Sequence, residues 1–229
     1  MITKPHRLAF DAKWSARLRR LALCGALAGP VVLAAPASAF AAGSGGGLGS
    51  VASGIGKSET LTFSVTYHII TNAGKAQDIT FAQEPPKQAI ITSAASFYIS
   101  PSQVLLCSKG SCYKLPSSMS SELTGLQDLF APQIIEGQLK ALEAVAASKG
   151  YHIKVSSATY GGLASTCVTV SGPKLPSGAT YCASDKVGLL TRANASGSSL
   201  TLTSYSGNPP ASTFSPPPGD TVVTLPSGV

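Results

Sequence analysis

Charge is scarce in this chain: only 12% of its 229 residues are Asp, Glu, Lys or Arg. Histidine is scarcer still, with three in all, and only His68 and His152 lie beyond residue 39. General acid and base chemistry needs positioned carboxylates or imidazoles, so these shortages thin out its means. Nucleophile motifs are missing too, with no Gly-x-Ser-x-Gly elbow and no Ser-x-x-Lys accompanied by its partner motifs. Gly56-Lys57-Ser58 has the look of a phosphate-loop end, but Val51 stands where the first glycine is required and a strand-like run follows where it should precede. An enzyme is therefore not expected, and no cofactor or metal with it.

Basic residues are fewer than the formal charge of +7 suggests. Six of the 17 Lys and Arg residues and one of the ten acids precede residue 40, which leaves 11 basic against 9 acidic side chains. The remaining lysines are scattered and form no basic stripe, which argues against nucleic acid as a partner. A bilayer-spanning run is also lacking. Leu21 to Ala35 is shorter than the about 20 residues a spanning helix needs and contains Gly29-Pro30. With Arg17, Arg19 and Arg20 before it and Ala37-Ser38-Ala39 after it, it reads as a secretory signal peptide over residues 1–39. Leu18 and Ala22 fit the twin-arginine pattern poorly, so the general secretory route is expected. Cys24 follows a bulky leucine and precedes the apolar run, so it is expected to leave with the signal unlipidated.

Four of the five cysteines then remain, Cys107, Cys112, Cys167 and Cys182. In an oxidising compartment they read as two disulfides with three connectivities open. Local pairing is favoured, because Cys107 and Cys112 stand at the base of a four-residue turn while Cys167 and Cys182 flank a Gly-Pro-Lys-Leu-Pro-Ser-Gly loop between strand-like runs. The alternative is a four-cysteine zinc site, for which the second pair is too widely spaced.

Residues 40–58 are Gly- and Ser-rich and read as a flexible leader, followed by a single domain over 59–229. Its clearest strand is Leu61 to Ile70, where Leu61, Phe63, Val65, Tyr67 and Ile69 alternate with Thr62, Ser64, Thr66 and His68. A turn at Asn72-Ala73-Gly74-Lys75 and a return strand through Ile79 and Phe81 follow, ended by Pro85-Pro86. Short runs around Ile90, Phe97, Leu105 and Tyr113 continue an antiparallel meander. The period then changes: Leu123, Leu126, Leu129 and Phe130 predict one helix, and Ile135, Leu139, Leu142 and Ala146 a second, opened by Pro132 and stopped by Gly150. Strands resume at Tyr151 and run to Val222-Val223. The fold class is α+β, with amphipathic helices needing the sheet as partner.

Alternation puts His68 and His152 on wet faces, and Glu136 and Glu143 read as a solvated helix flank beside Lys140. What is plentiful is apolar content, 44% of the chain. It builds either an ordinary filled core or a core enclosing a cavity.

Several short motifs carry a family resemblance: the long opening strand pair, Phe81-Ala-Gln-Glu-Pro-Pro-Lys87 with Ile90-Ile91, Ser93-Ala-Ala-Ser-Phe-Tyr-Ile99, the mid-chain helices, and Phe214-Ser-Pro-Pro-Pro-Gly219-Asp-Thr-Val-Val223. Over Ser58 to Pro226 the chain resembles the LolA-like superfamily of bacterial envelope lipid carriers. That resemblance implies a curved antiparallel sheet forming an unclosed half-barrel, two mid-chain helices over its concave face, and an apolar cavity between them. Phe63, Val65, Tyr67, Phe81, Phe97, Leu126, Phe130, Ile135, Leu139 and Leu202 would line it. The ligand would be a lipid or other hydrophobic small molecule, with an envelope protein as a further partner and a monomer as the working state. The alternative is a cell-surface interaction module with a filled core, motivated by Ser/Thr-rich wet faces and the Pro-rich stretch from Pro209 to Pro218.

Overall fold

The computed structural model describes residues 46–55, 58, 60–116, 132–146, 150–173 and 175–224. Its sheet is made of two meanders. The first runs through β1 (Phe63–Ile70), β2 (Ala76–Glu84), β3 (Lys87–Thr92), β4 (Ser96–Ser100), β5 (Gln103–Ser108) and β6 (Ser111–Lys114), each antiparallel to the next. The second comprises β7 (His152–Tyr160), β8 (Leu163–Gly172), β9 (Leu175–Ser184), β10 (Leu190–Ala195) and β11 (Ser198–Ser206). They join where β1 pairs with β11, giving a 12-stranded order β12-β6-β5-β4-β3-β2-β1-β11-β10-β9-β8-β7.

The last strand, β12 (Thr221–Thr224), runs parallel to β6, which corrects the all-antiparallel expectation at that edge. The reason lies in the Pro-rich stretch before it. Pro209 is buried, and the 3-10 turn Ala211–Phe214 packs over β2 and β3. Phe214 sits against Ala82, Ala89, Tyr98, Leu105 and the Cys107–Cys112 disulfide, a second small core on one face of the sheet. The stretch read as an interaction motif is thus a strap across the sheet, and it delivers the chain to β6 in the parallel sense.

The main core lies on the other face. β1 buries Phe63, Val65, Tyr67 and Ile69 while Ser64, Thr66 and His68 stay half-exposed, the alternation expected of a sheet covered on one side. Strand register extends this outward: Val65 stands opposite Phe81 and Tyr205, Phe81 opposite Ile90, Ile90 opposite Phe97, and Phe97 opposite Leu106.

Within the stretch expected to be a flexible leader, residues 46–55 form helix α1 (Gly46–Ile55) instead. Val51, Ala52 and Ile55 are buried in the main core, and α1 packs on β8, β9 and a second helix, α2 (Pro132–Ala146). Glycine disfavours an isolated helix by about 1 kcal/mol per residue, but burial of Val51 and Ile55 outweighs that, and Gly49 lets the Glu143 carboxylate approach to 3.4 Å of where a Cβ would stand. Ser58 Oγ closes α1 by donating to the Ile55 carbonyl at 2.9 Å. The second expected helix is α2; the first, with Leu126 and Phe130, lies outside the described residues.

Both disulfides pair locally, Cys107 with Cys112 and Cys167 with Cys182, each across directly opposed strand positions. This removes the zinc alternative. The expected loop between Cys167 and Cys182 is mostly strand, since β9 begins at Leu175 opposite Gly172.

The sheet is open but strongly curled at its β7 end. Strand β7 is four spacings from β11 in the ladder, about 19 Å in a flat sheet. Yet a Cβ on Gly161, at the β7–β8 turn, would fall 2.8 Å from Leu202 Cγ in β11. Gly161 and Gly162 both have positive φ (55° and 81°), as a two-residue hairpin turn between right-twisted strands demands.

Candidate functional site

The apolar face gathers most of the expected lining residues. Phe63, Val65, Tyr67, Phe81, Phe97, Leu139 and Leu202 are buried in one core cluster, with Ile135 of α2 packed against it. Phe63 and Phe81 meet with ring centroids 5.8 Å apart at 52°, a tilted aromatic contact. Ile69, Ile79, Ile90, Leu106, Val168, Val170 and Leu200 belong to the same cluster and were not in the expected lining set. Their signal was there in the alternation of Cys167-Val-Thr-Val170 and in the residues paired with known inward positions.

Few polar groups interrupt this face; the hydroxyl of Tyr151, which packs against the cluster, is buried without a partner, and others are committed. The Tyr67 hydroxyl donates to the Leu190 carbonyl at 2.8 Å, and burial pushes its pKa up from the ordinary 10.0. Burial raises the Tyr181 hydroxyl in the same direction. Gln83, opposite Phe63, donates from Nε2 to the carbonyls of Ser58 (3.2 Å) and Leu61 (3.1 Å), tying the segment after α1 to the sheet. The setting holds phenols neutral and offers nothing to stabilise an anion at its centre.

One row of this face continues to the edge strand β7. Ile69 stands opposite Leu200, Leu200 opposite Ala193, Ala193 opposite Tyr181, Tyr181 opposite Val168, and Val168 opposite Val155. Val168 is fully buried whereas Val155 is 55% exposed, and Ile153, opposite the buried Val170, is 37% exposed.

On the opposite face of β10, Arg192 stands across from Thr201 and Cys182, in the row that also holds His68. Its Nη1 donates to the Tyr160 hydroxyl at 3.2 Å, and its Cζ lies 5.6 Å from the Tyr160 ring centroid. Sequence reading gave this residue no role.

The groups that could carry reaction chemistry are arranged otherwise. His68 Nδ1 meets Asp78 Oδ1 at 2.7 Å across the β1–β2 pair, with the two side chains 43% and 68% exposed on the wet face. The fold thus supplies His68 a carboxylate that sequence proximity did not. His152 is exposed on β7. Among the described residues the one group of three potential metal ligands is Cys107, Cys112 and Asp220. Its cysteines are bonded to each other and offer no thiolate, so the 3.6 Å approach of Asp220 Oδ2 to Cys112 Sγ is a contact and not a hydrogen bond.

No protein-family model and no curated protein matches the sequence. Among solved structures, MucB in complex with MucA(peri) aligns over 77% of this chain and 62% of its own, at 11% identity and TM-score 0.46. The MucA/MucB complex of Pseudomonas aeruginosa aligns over 78% and 64%, at 12% identity and TM-score 0.46. LprF from Mycobacterium bovis aligns over 72% and 94%, at 14% identity and TM-score 0.38. The chain spans less than two thirds of the MucB chains. At these scores the likeness is one of general outline, and the functional reading stands on the residues themselves.

Proposed function

We propose that this chain is an exported binder or carrier of a lipid or other hydrophobic ligand, held against the apolar face of an unclosed half-barrel under its helices. The observation that carries the reading is the apolar row that passes from buried Val168 and Val170 to Val155 and Ile153, which are 55% and 37% exposed on the edge strand β7. Here β-branched residues carry the apolar face to exposed positions at the open edge. The resemblance to the LolA-like superfamily points the same way. Export and removal of residues 1–39 belong to the same reading, because both disulfides form in an oxidising compartment.

The test uses a site that folding does not depend on. The mature chain should take up a fluorescent fatty-acid probe, and Val155→Asp should weaken that uptake at least severalfold while leaving the far-ultraviolet dichroism unchanged. Equal uptake by a folded Val155→Asp protein would remove the open edge from the site.

A second reading, an envelope interaction module, is favoured by one feature. The terminal strand β12 exposes Val222 (54%) and Val223 (41%) along a sheet edge, a surface a partner's strand could extend. Capture of an envelope protein by lipid-free chain, lost in Val222→Lys, would support it.

A further inference from the structure

We propose that helix α1 is a displaceable plug: in the unloaded chain it occupies the part of the apolar face that an acyl chain takes in the loaded one, so its docking regulates uptake. This rests on the ligand-binding reading above. The face is closed as it stands. Phe63, Val65, Phe81, Val168, Val170 and Leu202 are each no more than 4% exposed and share one cluster with Val51, Ala52 and Ile55 of α1. Interiors are packed to the density of a solid, so a ligand on this face needs an element to leave it.

Helix α1 is the element whose departure asks least of the rest. Four of its ten residues are glycine, the poorest helix former after proline, and a helix of this length does not persist without tertiary contacts. The strands, by contrast, are bound to one another in a twelve-stranded ladder. Position gives the plug its meaning. It packs on β7, β8 and β9, and β7 carries the exposed Val155 and Ile153, so α1 stands beside the edge where an incoming chain first meets apolar surface. A hinge lies behind it. Gln83 Nε2 donates to the carbonyls of Ser58 and Leu61, which keeps the backbone after α1 fastened to β2 when the helix leaves.

Uptake of the fluorescent fatty acid cis-parinaric acid by the mature, disulfide-bonded chain, read together with hydrogen exchange over residues 46–55, tests this. A Cβ at Gly54 meets nothing within 4 Å, so Gly54→Ala firms the helix without a clash, while Ala52→Gly loosens it. Apparent affinity scales with the undocked fraction. Gly54→Ala should therefore weaken uptake about threefold, being near the helix end, and Ala52→Gly strengthen it about fivefold, the equivalent of about 1 kcal/mol. A helix that formed part of the ligand's own wall would give the reverse order. Gly137→Ala in α2, where a Cβ is equally free, should leave affinity unchanged. Saturating probe should strip residues 46–55 of their protection. Protection that persists in the loaded chain, indifference to both α1 substitutions, or an equal loss in Gly137→Ala overturns the inference while the carrier reading stands. If the wild type takes up no probe, uptake by Ala52→Gly alone upholds the plug, and silence in both ends the two readings together.

Discussion

Tyr67 shows how much one side chain can hold. Its hydroxyl reaches from β1 past β11 to the Leu190 carbonyl at the start of β10, so Tyr67→Phe should cost about 1–2 kcal/mol by leaving that carbonyl without its donor. The phenol is also a pH sensor of stability. Its folded pKa is raised above 10.0 by burial, so the native state keeps a proton that the unfolded chain gives up. Its contribution is complete below pH 10.0 and is lost as pH rises above that value, so urea melts of wild type should weaken more steeply in alkali than those of Tyr67→Phe. Sequence alternation correctly placed Tyr67 inward, but not the carbonyl it meets, which lies 123 residues away. At Gly161 the backbone has φ of 55° and Leu202 fills the Cβ position, so Gly161→Ala should destabilise by about 1–2 kcal/mol in the same melts.

At the scale of elements, period was legible and cover was not. The strands β1 to β6 and the helix opened by Pro132 stand where alternation and three-to-four spacing put them, because each writes its buried face into local sequence. Helix α1 was missed because its ten residues, GGLGSVASGI, have low intrinsic propensity and few apolar positions. Its stability comes from β8, β9 and α2, none of which is near it in the chain. Ile55→Ala should therefore cost about 2–5 kcal/mol, where a flexible leader would lose nothing; chemical denaturation separates the two. The path of the Pro-rich strap was not legible for a like reason. Proline-rich composition marks an extended segment, and only the pocket of Ala82 and Ala89 shows that Phe214 turns it onto the sheet. The β8–β9 disulfide joins residues 15 apart, so replacing Cys167 and Cys182 together by Ala should lower stability by about 3 kcal/mol.

At the scale of the sheet, two meanders fused at β1 and β11 make a wide apolar face that reaches exposed Val155 and Ile153 on β7. Inward and outward positions could be read along each strand, and they carried the candidate lining set. The join between the meanders and the curl that brings Gly161 to Leu202 could not, because both depend on contacts between residues far apart in the chain. Carrier and filled-core module differ in a single respect, whether something foreign occupies that surface. Native mass spectrometry of the exported, disulfide-bonded protein, with organic extraction of whatever it releases, measures this directly. The account predicts a reproducible hydrophobic ligand at near-equal stoichiometry, and a clean apo mass that persists after incubation with envelope lipids would contradict it.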